Sequence, residues 1–456
     1  MSGNINVALG EDQEKALSIM KDFIQNGTEP ACLIYGAAGT GKTILTNYLI
    51  NWCEKESIPY TLCAPTHKAA LVLSRATGRD AITIHSLLSL SPKLDVFALD
   101  FNNLLFHTRN SSMNMCYDGV VICDESSMIN DDLYDLLLEK CKSYRNKIIF
   151  GGDFKQVQPV KQDSLSKIIN TQPQFELNKI WRQSENNALL PTLTTLRTHS
   201  ISHFEESVGL EGSLFVTTNM KDFLKSGAQS FSKAIKNGDI LETKILCYTN
   251  DRVSAYNNAM HKLMFPKCDI YNKGEFLVGC ENLEFNHFKF YNSMDYIICS
   301  EPEKIDLPIP NFGKLPAFRF ELYDSLYKSS EYVSILSTEI SRDYFDLLIN
   351  KIESFRQQAV SWSAINKAKA KFYWKYYYQM INSFTTPIDF YYDGRLIRKK
   401  SFDYAYAVTV HRSQGSSYNN VLVDMRNINS CSDEAVHRQL QYVALSRTRK
   451  DVLLYQ

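Results

Sequence analysis

Apolar and polar positions in the first 160 residues alternate between two kinds of segment. Short apolar runs of β character occur at four places: ACLIYG from residue 31, YTLCAP from 60, VVICDE from 120 and KIIFGGD from 147. The segments NYLINWCEK, KAALVLSRA and DDLYDLLLEKC, which lie between these runs, repeat apolar residues at helical spacing. This alternation predicts an α/β fold in which helices cover both faces of a parallel sheet.

A second alternating set follows the first and is interrupted. Its predicted strands are LFVTT from residue 214, KILCYTN from 244, AYAVTV from 405, NVLVDM from 420 and VLLYQ from 452. Residues 251–262 and 434–442 have helical patterns. Two segments break the rhythm, 88–118 and 271–395, and we interpret both as insertions. The predicted domains are therefore 1–87 with 119–160, the insertion 88–118, 161–270 with 396–456, and the insertion 271–395.

Composition indicates a globular chain with balanced charge. The 456 residues are 44% hydrophobic, and 50 basic residues match 50 acidic ones, so a nucleic-acid partner would have to bind a local surface. The 11 cysteines contain no CxxC pair, which disfavours a zinc site and a disulfide framework. No signal peptide or membrane-spanning run is recognisable, and we expect a cytoplasmic protein without a membrane partner.

The most specific motif is GAAGTGKT, which follows an apolar run and opens a helical one, the context that a GxxxxGK[ST] phosphate loop requires. Its glycines allow backbone N–H groups to wrap phosphates, Lys42 would neutralise phosphate oxygens, and Thr43 would hold Mg²⁺. The predicted nucleotide-binding positions are Gly36, Ala37, Ala38, Gly39, Thr40, Gly41, Lys42 and Thr43.

Two further predicted strands end in residues suited to hydrolysis. VVICDESS supplies Asp124, predicted to hold Mg²⁺, and Glu125, predicted to be the general base that activates water. GGDFKQVQPV supplies Gln156, whose amide is predicted to contact both the γ-phosphate and that water. Because parallel strands end at one edge of a sheet, we expect these side chains to lie beside the phosphate loop.

With these motifs in order, the chain resembles superfamily 1 helicases of the 5′→3′ branch, which contains RecD-like enzymes, and most of all the Dda-like helicases of phages. Further matching motifs are APTHKAA (64–70), TIHSLL (83–88), LNKIWRQ (177–183), YTNDRVSAYN (248–257), YAVTVHRSQGSS (406–417) and YVALSRTR (442–449). The resemblance covers residue 10 to the C-terminus, with a weak match at 271–395. It implies two RecA-like P-loop NTPase domains, a pin in the first insertion, and an SH3-like β-barrel plus helices in the second.

The resemblance also implies roles for individual residues, with ATP and Mg²⁺ as cofactors. Gln13 would recognise adenine, while Arg182 and Arg447 would reach the γ-phosphate across a cleft and stabilise its charge. Nucleic-acid contacts would come from Thr66, His67, Thr83, His85, Thr249, Asn250, Thr409, His411 and Ser413. Such hydroxyl, amide and imidazole groups can hold phosphates without a dense cationic patch.

Both insertions leave alternatives open. In the first, Phe106 of NNLLFHT resembles the aromatic tip of a pin, but Phe97 and Phe101 compete for that role, and all three suit a minor core equally well. In the second, KAKAKFYWKYYYQM (367–380) combines four lysines with six aromatics. We favour a helix packed against a sheet over a single-strand-binding surface. The Asp393-Gly394 pair that follows predicts a β-hairpin.

The implied function is an ATP-dependent DNA helicase that moves 5′→3′ on single-stranded DNA and unwinds forked duplex in replication, recombination or repair. It would act as a monomer, with a single-strand-binding protein or a replisome component as a further partner. Two alternatives stay open: a translocase that displaces proteins without unwinding, and an ATP-switched nucleic-acid-binding module. Strand-stimulated ATP turnover separates the module from the two motors, and a forked duplex separates the helicase from the translocase.

Overall fold

The computed structural model describes residues 8–92, 106–108, 113–157, 166–179, 187–266, 270–285, 288–325 and 327–456, with backbone alone at 91–92, 106–108 and 285. A six-stranded and a five-stranded parallel sheet and a six-stranded antiparallel sheet organise these residues. None of the described helices is both long and apolar enough to span a bilayer.

The first unit is built on a six-stranded sheet in the order β3-β2-β6-β7-β1-β8, with every pair parallel. Its elements are α1 (Glu11–Asn26), β1 (Ala31–Gly36), α2 (Lys42–Lys55), β2 (Tyr60–Ala64), α3 (His67–Thr77), β3 (Ala81–Thr83), α4 (Ile84–Leu87), β4 (Leu90–Pro92), β5 (Phe106–Thr108), β6 (Val120–Cys123), α5 (Asp131–Ser143), β7 (Lys147–Gly152) and β8 (Gln174–Leu177). The central strands are almost wholly buried because helices cover both faces, as their continuous apolar runs predict.

The second unit begins after residue 187 and continues after the insertion. Its elements before the insertion are α6 (Leu190–Leu196), β9 (Leu214–Thr217), α7 (Met220–Asn237), β10 (Thr243–Cys247) and α8 (Asn250–Met264).

The inserted unit consists of an antiparallel sheet and two packed helices. Its elements are β11 (Phe276–Gly279), β12 (Leu283–Phe285), β13 (Phe288–Phe290), β14 (Asp295–Ile298), β15 (Glu303–Ile309), β16 (Gly313–Asp324), β17 (Ser329–Leu336), α9 (Arg342–Ser363), α10 (Lys367–Ile381), β18 (Phe390–Tyr392), β19 (Arg395–Arg398) and β20 (Phe402–Tyr404). The main sheet runs β15-β16-β14-β11-β20, and β17 pairs with β16. The SH3-like barrel remains a prediction.

The chain then returns to the second unit through β21 (Ala407–Thr409), β22 (Tyr418–Asp424), α11 (Met425–Ile428), α12 (Glu434–Ser446) and β23 (Thr448–Tyr455). The sheet order is β21-β10-β22-β23-β9, and all pairs are parallel. All five strands that the apolar pattern predicted for this sheet are present, so a chain interrupted by more than a hundred residues still completes one sheet.

Two strand pairings depart from the predicted domain boundaries. Strand β8 lies beyond residue 160, yet it pairs with β1 and belongs to the first sheet. Strand β20 lies beyond residue 395, yet it pairs with β11 of the insertion. Both boundaries depend on long-range pairing, which the local apolar pattern does not encode.

The hypotheses for the two insertions, a pin in 88–118 and a packed helix in 271–395, differ in how far the structure describes them. Strands β4 and β5 form an antiparallel ribbon in the first insertion. Residues 93–105, which include Phe97 and Phe101, and the side chain of Phe106 lie outside the described part, so the pin tip stays a prediction. In the second insertion, α10 packs through Ala370, Tyr377 and Met380 while its four lysines are exposed. The predicted helix is present, and Tyr377 and Met380 share a core with α9 and the inserted sheet, whereas Phe372 and Tyr378 are exposed. The alternative of a single-strand-binding surface stays untested.

The predicted hairpin at Asp393-Gly394 is also confirmed. Strand β18 pairs with β19 across these two residues, whose φ angles are 48° and 72°. Two consecutive positive φ angles fit the type I′ turn that an Asp-Gly pair favours.

Adjacent residues of β18 test the orientation of this hairpin. Phe390 is fully buried, with its ring 4.6 Å from that of Phe345 on α9, whereas Tyr391 is 56% exposed. We expect Phe390→Ala to lower the free energy of unfolding by about 3–5 kcal/mol, and Tyr391→Ala to change it by under about 0.5 kcal/mol. Denaturant unfolding of both variants measures the difference, and equal losses would contradict the described orientation.

Candidate functional site

A cavity of about 460 Å³ lies where the carboxyl ends of the first sheet face the second unit. It is lined by Ala38, Gly39, Gly41, Lys42, Thr43, Ile44, Lys68, Ala69, Val72, Asp124, Glu125, Gln156, Leu241, Gly415, Ser416, Ser417, Arg447 and Arg449. Its size is typical of small-molecule sites. The structure thus brings together the GAAGTGKT, DESS, Gln156 and Arg447 segments that sequence analysis singled out.

The phosphate loop turns sharply between β1 and α2. Gly39 and Gly41 have φ angles of 90° and 81°, a conformation that favours glycine, and α2 begins at Lys42. At Gly36, an added Cβ would lie 2.6 Å from the carbonyl oxygen of Leu177, so a larger residue would displace β8. Lys42 Nζ donates to the carbonyl oxygens of Gly36 and Ala37 at 2.7 and 2.9 Å. The lysine therefore lies over the loop, where a phosphate would be held.

Gln13 supports this loop from α1. Its Nε2 donates to the carbonyl oxygen of Thr40 at 3.0 Å, and its Oε1 accepts from the backbone N–H of Gly10 at 3.0 Å. The side chain is buried rather than solvated. Its geometry links the start of α1 to the phosphate loop, and its predicted contact with adenine stays a prediction.

Asp124 and Glu125 stand at the carboxyl end of β6. Burial, together with the neighbouring charge of Glu125, raises the pKa of Asp124 to about 6. Glu125 has a φ angle of 52°, and its backbone N–H donates to Asp124 Oδ1 at 2.9 Å. A glutamate whose backbone is in the left-handed region is strained, and such backbone strain is concentrated at functional sites. Asp124 and Glu125 are both half-buried in the cavity wall, and the backbone of Glu125 has a positive φ angle.

The donor set suits Mg²⁺, which prefers oxygen ligands and retains several waters and substrate phosphates. Asp124 and Thr43 line the same cavity beside the phosphate loop. Within the described ranges, no group of three or more His, Cys, Asp or Glu side chains could hold a metal ion by itself. The binding of a magnesium ion by Asp124 and Thr43 together with the nucleotide stays a prediction.

Gln156 occupies the cavity wall beside Asp153, to which its Nε2 donates at 3.2 Å. Its Oε1 is buried and has no hydrogen-bond partner among the described residues. The hydroxyl of Ser416, on the opposite wall, is in the same condition. Both residues line the cavity, so these two atoms are available for hydrogen bonds to a polar ligand held there.

Tyr442 joins the two units at this cavity, and sequence analysis assigned it no role. It lies on α12 of the second unit, where its hydroxyl accepts from the backbone N–H of Ala38 at 3.3 Å and donates to Asp153 Oδ2 at 3.0 Å. Burial and the charge of Asp153 raise the pKa of Tyr442, so it stays protonated. A second link runs from Gln414 Nε2 to the carbonyl oxygen of Val157 at 2.8 Å.

Arg447 reaches the cavity from the end of α12. It is 4% exposed, and its guanidinium donates to the carbonyl oxygen of Ser416 at 3.4 Å and to Ser446 Oγ at 3.0 Å. Arg449, which sequence analysis missed, also lines the cavity. Arg182 lies outside the described residues. The second unit thus contributes cationic side chains to a wall that faces the phosphate loop.

The predicted threonines share one structural position. Thr66 and Thr249 follow a strand of a parallel sheet and Thr83 ends one, and each accepts a hydrogen bond from the backbone N–H three residues later, at the start of a helix. Thr409 likewise accepts from the N–H of Arg412. Asn250 is exposed at the start of α8.

The histidines and Ser413 differ in exposure. Burial lowers the pKa of His67, His85 and His411, which favours their neutral form. Ser413 is fully buried, and its hydroxyl donates to the carbonyl oxygen of Val410 at 2.7 Å. This side chain packs inside the short 3₁₀ turn His411–Ser413, and its predicted contact with nucleic acid stays a prediction.

A second cavity, of about 630 Å³, lies between the first unit and the inserted unit. Its walls are formed by His67, Ala70, Leu71, Ser74, Asp80, Ala81, Ile82, Thr83, Ser86, Asn282, Leu283, Glu284, Lys289, Phe290, Tyr291 and Tyr327. The rings of His67 and Tyr291 lie 4.2 Å apart, and that of Tyr327 lies 5.9 Å from Tyr291. This groove places aromatic and polar groups beside two of the predicted strand-contacting segments.

The chain has relatives of known type along nearly its whole length. Residues 8–208 match the AAA domain family, and residues 404–455 match the UvrD-like helicase C-terminal domain. The ATP-dependent DNA helicase dda of Enterobacteria phage T4 is 26% identical over 97% of this chain and 98% of that protein. The resemblance to superfamily 1 helicases, and to their Dda-like members, is confirmed.

Two further relatives agree with this assignment. The ATP-dependent RecD2 DNA helicase of Deinococcus radiodurans is 28% identical over 41% of this chain and 25% of that protein. A solved structure described as two coordinating Pif1 helicases at forked double-stranded DNA covers 99% of this chain and 92% of that one, with a TM-score of 0.51 and 17% identity. The solved structure confirms the predicted fold of two parallel α/β units, and the AAA domain match together with the helicase relatives indicates an ATP-dependent enzyme of the helicase class.

The hydroxyl of Tyr442 is open to a direct test. We expect Tyr442→Phe to lower kcat/KM for ATP about tenfold, because the phosphate loop and Asp153 lose their hydrogen-bond partner in the second unit. The matched control is Tyr256→Phe. The hydroxyl of Tyr256 donates to Asp424 Oδ2 at 2.9 Å, and neither residue lines the cavity. Steady-state ATP hydrolysis measures both variants. Unchanged kinetics in Tyr442→Phe would show that this contact is dispensable.

Proposed function

We propose that the protein is an ATP-dependent DNA helicase that moves 5′→3′ along single-stranded DNA and separates forked duplex. The observation that carries this proposal is the two-sided nucleotide cavity, in which Lys42 of the first unit faces Arg447 and Ser416 of the second. A ligand held between two units favours their closed arrangement, so binding and hydrolysis can drive relative motion. The relatives' names support DNA as the substrate, and the resemblance supplies the direction.

The residues of the cavity divide the chemistry between the two units. Lys42 and the loop N–H groups hold the phosphates, and Glu125 takes a proton from the attacking water that Gln156 orients. Arg447 stabilises charge on the transferring phosphoryl group from across the cleft, and Arg182 does the same by resemblance. Thr43 and Asp124 would hold Mg²⁺, which neutralises phosphate charge when it is bound.

Closure of the cleft is the step that couples this chemistry to movement. Tyr442 contacts the phosphate loop and Arg447 lines the same cavity because the second unit lies against the first. ATP binding would therefore draw the units together, and release of products would separate them. If the two units alternate their grip on the strand in phase with closure, each ATP advances the protein by one small step. The pin, with Phe106 as its proposed tip, converts stepping into strand separation.

The strand is proposed to contact the ends of both parallel sheets. Thr66 and Thr249 begin the helices α3 and α8, whose first N–H groups favour negative charge and so suit backbone phosphates. The groove beside α3 adds His67, Tyr291 and Tyr327, on which bases can stack. The protein would act as a monomer on single-stranded and forked DNA, alongside a single-strand-binding protein or a replisome component.

Strand-dependent ATP hydrolysis tests this function. We expect oligo(dT) to stimulate hydrolysis strongly, and we expect both Lys42→Ala and Glu125→Gln to abolish the stimulated rate, since one removes phosphate binding and the other the general base. Forked duplexes with a single 5′ or 3′ tail then separate unwinding from translocation and report direction. Turnover that is indifferent to any strand would contradict a motor, and unwinding from a 3′ tail would contradict the proposed direction.

The groove between the first unit and the inserted unit is proposed to bind single-stranded DNA, and substitution of Tyr291 tests this. We expect Tyr291→Ala to weaken single-stranded DNA binding about tenfold, because stacking of one base contributes about 1–3 kcal/mol. Tyr332, which is 50% exposed on β17 and does not line the groove, gives the control variant Tyr332→Ala. Fluorescence anisotropy of a labelled oligonucleotide measures both affinities. Equal affinities in the two variants would remove Tyr291 from the strand path.

A further inference from the structure

A buried ionic cluster stands at the back of the nucleotide cavity. Lys68 Nζ on α3 and Lys244 Nζ on β10 each lie 3.4 Å from a different carboxylate oxygen of Asp295 on β14. Their side chains are 11%, 0% and 6% exposed in that order. The ring of Tyr418 lies 6.0 Å from Lys68 Nζ and 5.6 Å from Lys244 Nζ. One carboxylate is thus shared by two lysines from different parts of the chain.

The three charged residues belong to three different units. Lys68 comes from the first unit, Lys244 from the second and Asp295 from the inserted unit. Lys244 is also anchored by the carbonyl oxygen of Ala405 at 2.6 Å, and Ala405 in turn donates its backbone N–H to Phe276 of the inserted sheet at 3.0 Å. The Lys244–Asp295 pair therefore lies within a connected body, whereas the Lys68–Asp295 pair crosses from the first unit.

Helix α3 contacts the nucleotide cavity on one side and the inserted unit on the other. Lys68 and Val72 line the cavity. His67 stacks against Tyr291 of the inserted unit, and Arg75 donates to the carbonyl oxygen of Ser325 at 3.2 Å. A shift of the first unit towards the second therefore also changes the distance between α3 and the inserted sheet.

Because two lysines share one carboxylate, the ion pair between Lys68 and Asp295 can open without leaving Asp295 unpaired. Burial opposes ionisation of Asp295, but Lys244 and Lys68 outweigh it and hold the pKa of Asp295 below its ordinary value. A buried charge that loses its sole partner is costly. When Lys68 withdraws towards solvent, however, Asp295 keeps Lys244, so the carboxylate has a lysine partner in both arrangements.

We propose that Lys68 is a positioning residue that links closure of the nucleotide cleft to the inserted unit through its ion pair with Asp295. This inference rests on the proposed function and deepens it. The pair forms when the cleft closes, stabilises the ATP-bound arrangement and moves the inserted unit together with the first unit. Strand separation per ATP then depends on Lys68, although this lysine acts through Asp295 and not on the phosphates.

Two single substitutions separate the crossing pair from the static one. Lys68→Met leaves Asp295 paired with Lys244, and Lys244→Met leaves it paired with Lys68, so each variant retains one lysine for one carboxylate. With oligo(dT) present, we expect Lys68→Met to raise KM for ATP about three- to tenfold and to lower the base pairs separated per ATP by a similar factor. Lys244→Met should retain the wild-type ratio, and Lys68→Arg should recover most of it.

Thermal unfolding of the three variants shows that each is folded, while ATP hydrolysis and unwinding of a tailed fork are measured on the same preparations. A Lys68→Met variant with the wild-type ratio of base pairs to ATP would overturn the inference, and so would an equal loss in Lys244→Met. A wild-type protein without strand-stimulated hydrolysis would instead overturn the proposed function, and this inference with it. The two failures are therefore distinguishable.

Discussion

The contact on which the site depends is the hydroxyl of Tyr442, held between the phosphate loop and Asp153. Each parallel sheet collects its functional loops at the carboxyl ends of its strands, but a sheet by itself offers an open edge and no enclosed site. Tyr442 brings α12 of the second unit against Ala38 of the first. This hydroxyl accepts from the backbone N–H of Ala38 and donates to Asp153, so it satisfies groups in two motifs at once. Arg447, which directly follows α12, lines the same cavity.

Much of the fold follows from local patterns. Buried strands of a parallel sheet have continuous apolar runs, so all strands predicted for the two sheets are found, and the Asp393-Gly394 turn follows from the need for two positive φ angles. The boundaries between the structural units were harder to predict from the sequence. Strands β8 and β20 each pair with a strand far away in sequence, and no local signal assigns a short strand to one sheet over another.

Some residues of the candidate site could likewise be predicted from local motifs, and others could not. Lys42, Asp124, Glu125 and Gln156 were predictable because each stands in a motif at the end of a strand, where parallel strands bring them together. Tyr442 and Ser416 lie inside quoted motifs, but their roles arise from contact between units. Lys68 and Asp295 are 227 residues apart and have no shared pattern. At Ser413 the sequence could not show that the hydroxyl donates within the turn that carries it, because that contact depends on the folded backbone.

The zero net charge of the chain is consistent with this architecture. A cationic surface attracts nucleic acid over a distance, yet it also repels closure of two units that carry the same sign. Here the lysines nearest the cleft are committed internally: Lys42 to the carbonyls of the phosphate loop, Lys68 and Lys244 to Asp295. Phosphate-holding capacity at the sheet edges then depends on helix N-termini and hydroxyl groups, which are dipoles and add no net charge. In the proposed mechanism such a surface holds the strand, while Lys42 and Lys68 exchange their internal partners as the nucleotide binds and leaves.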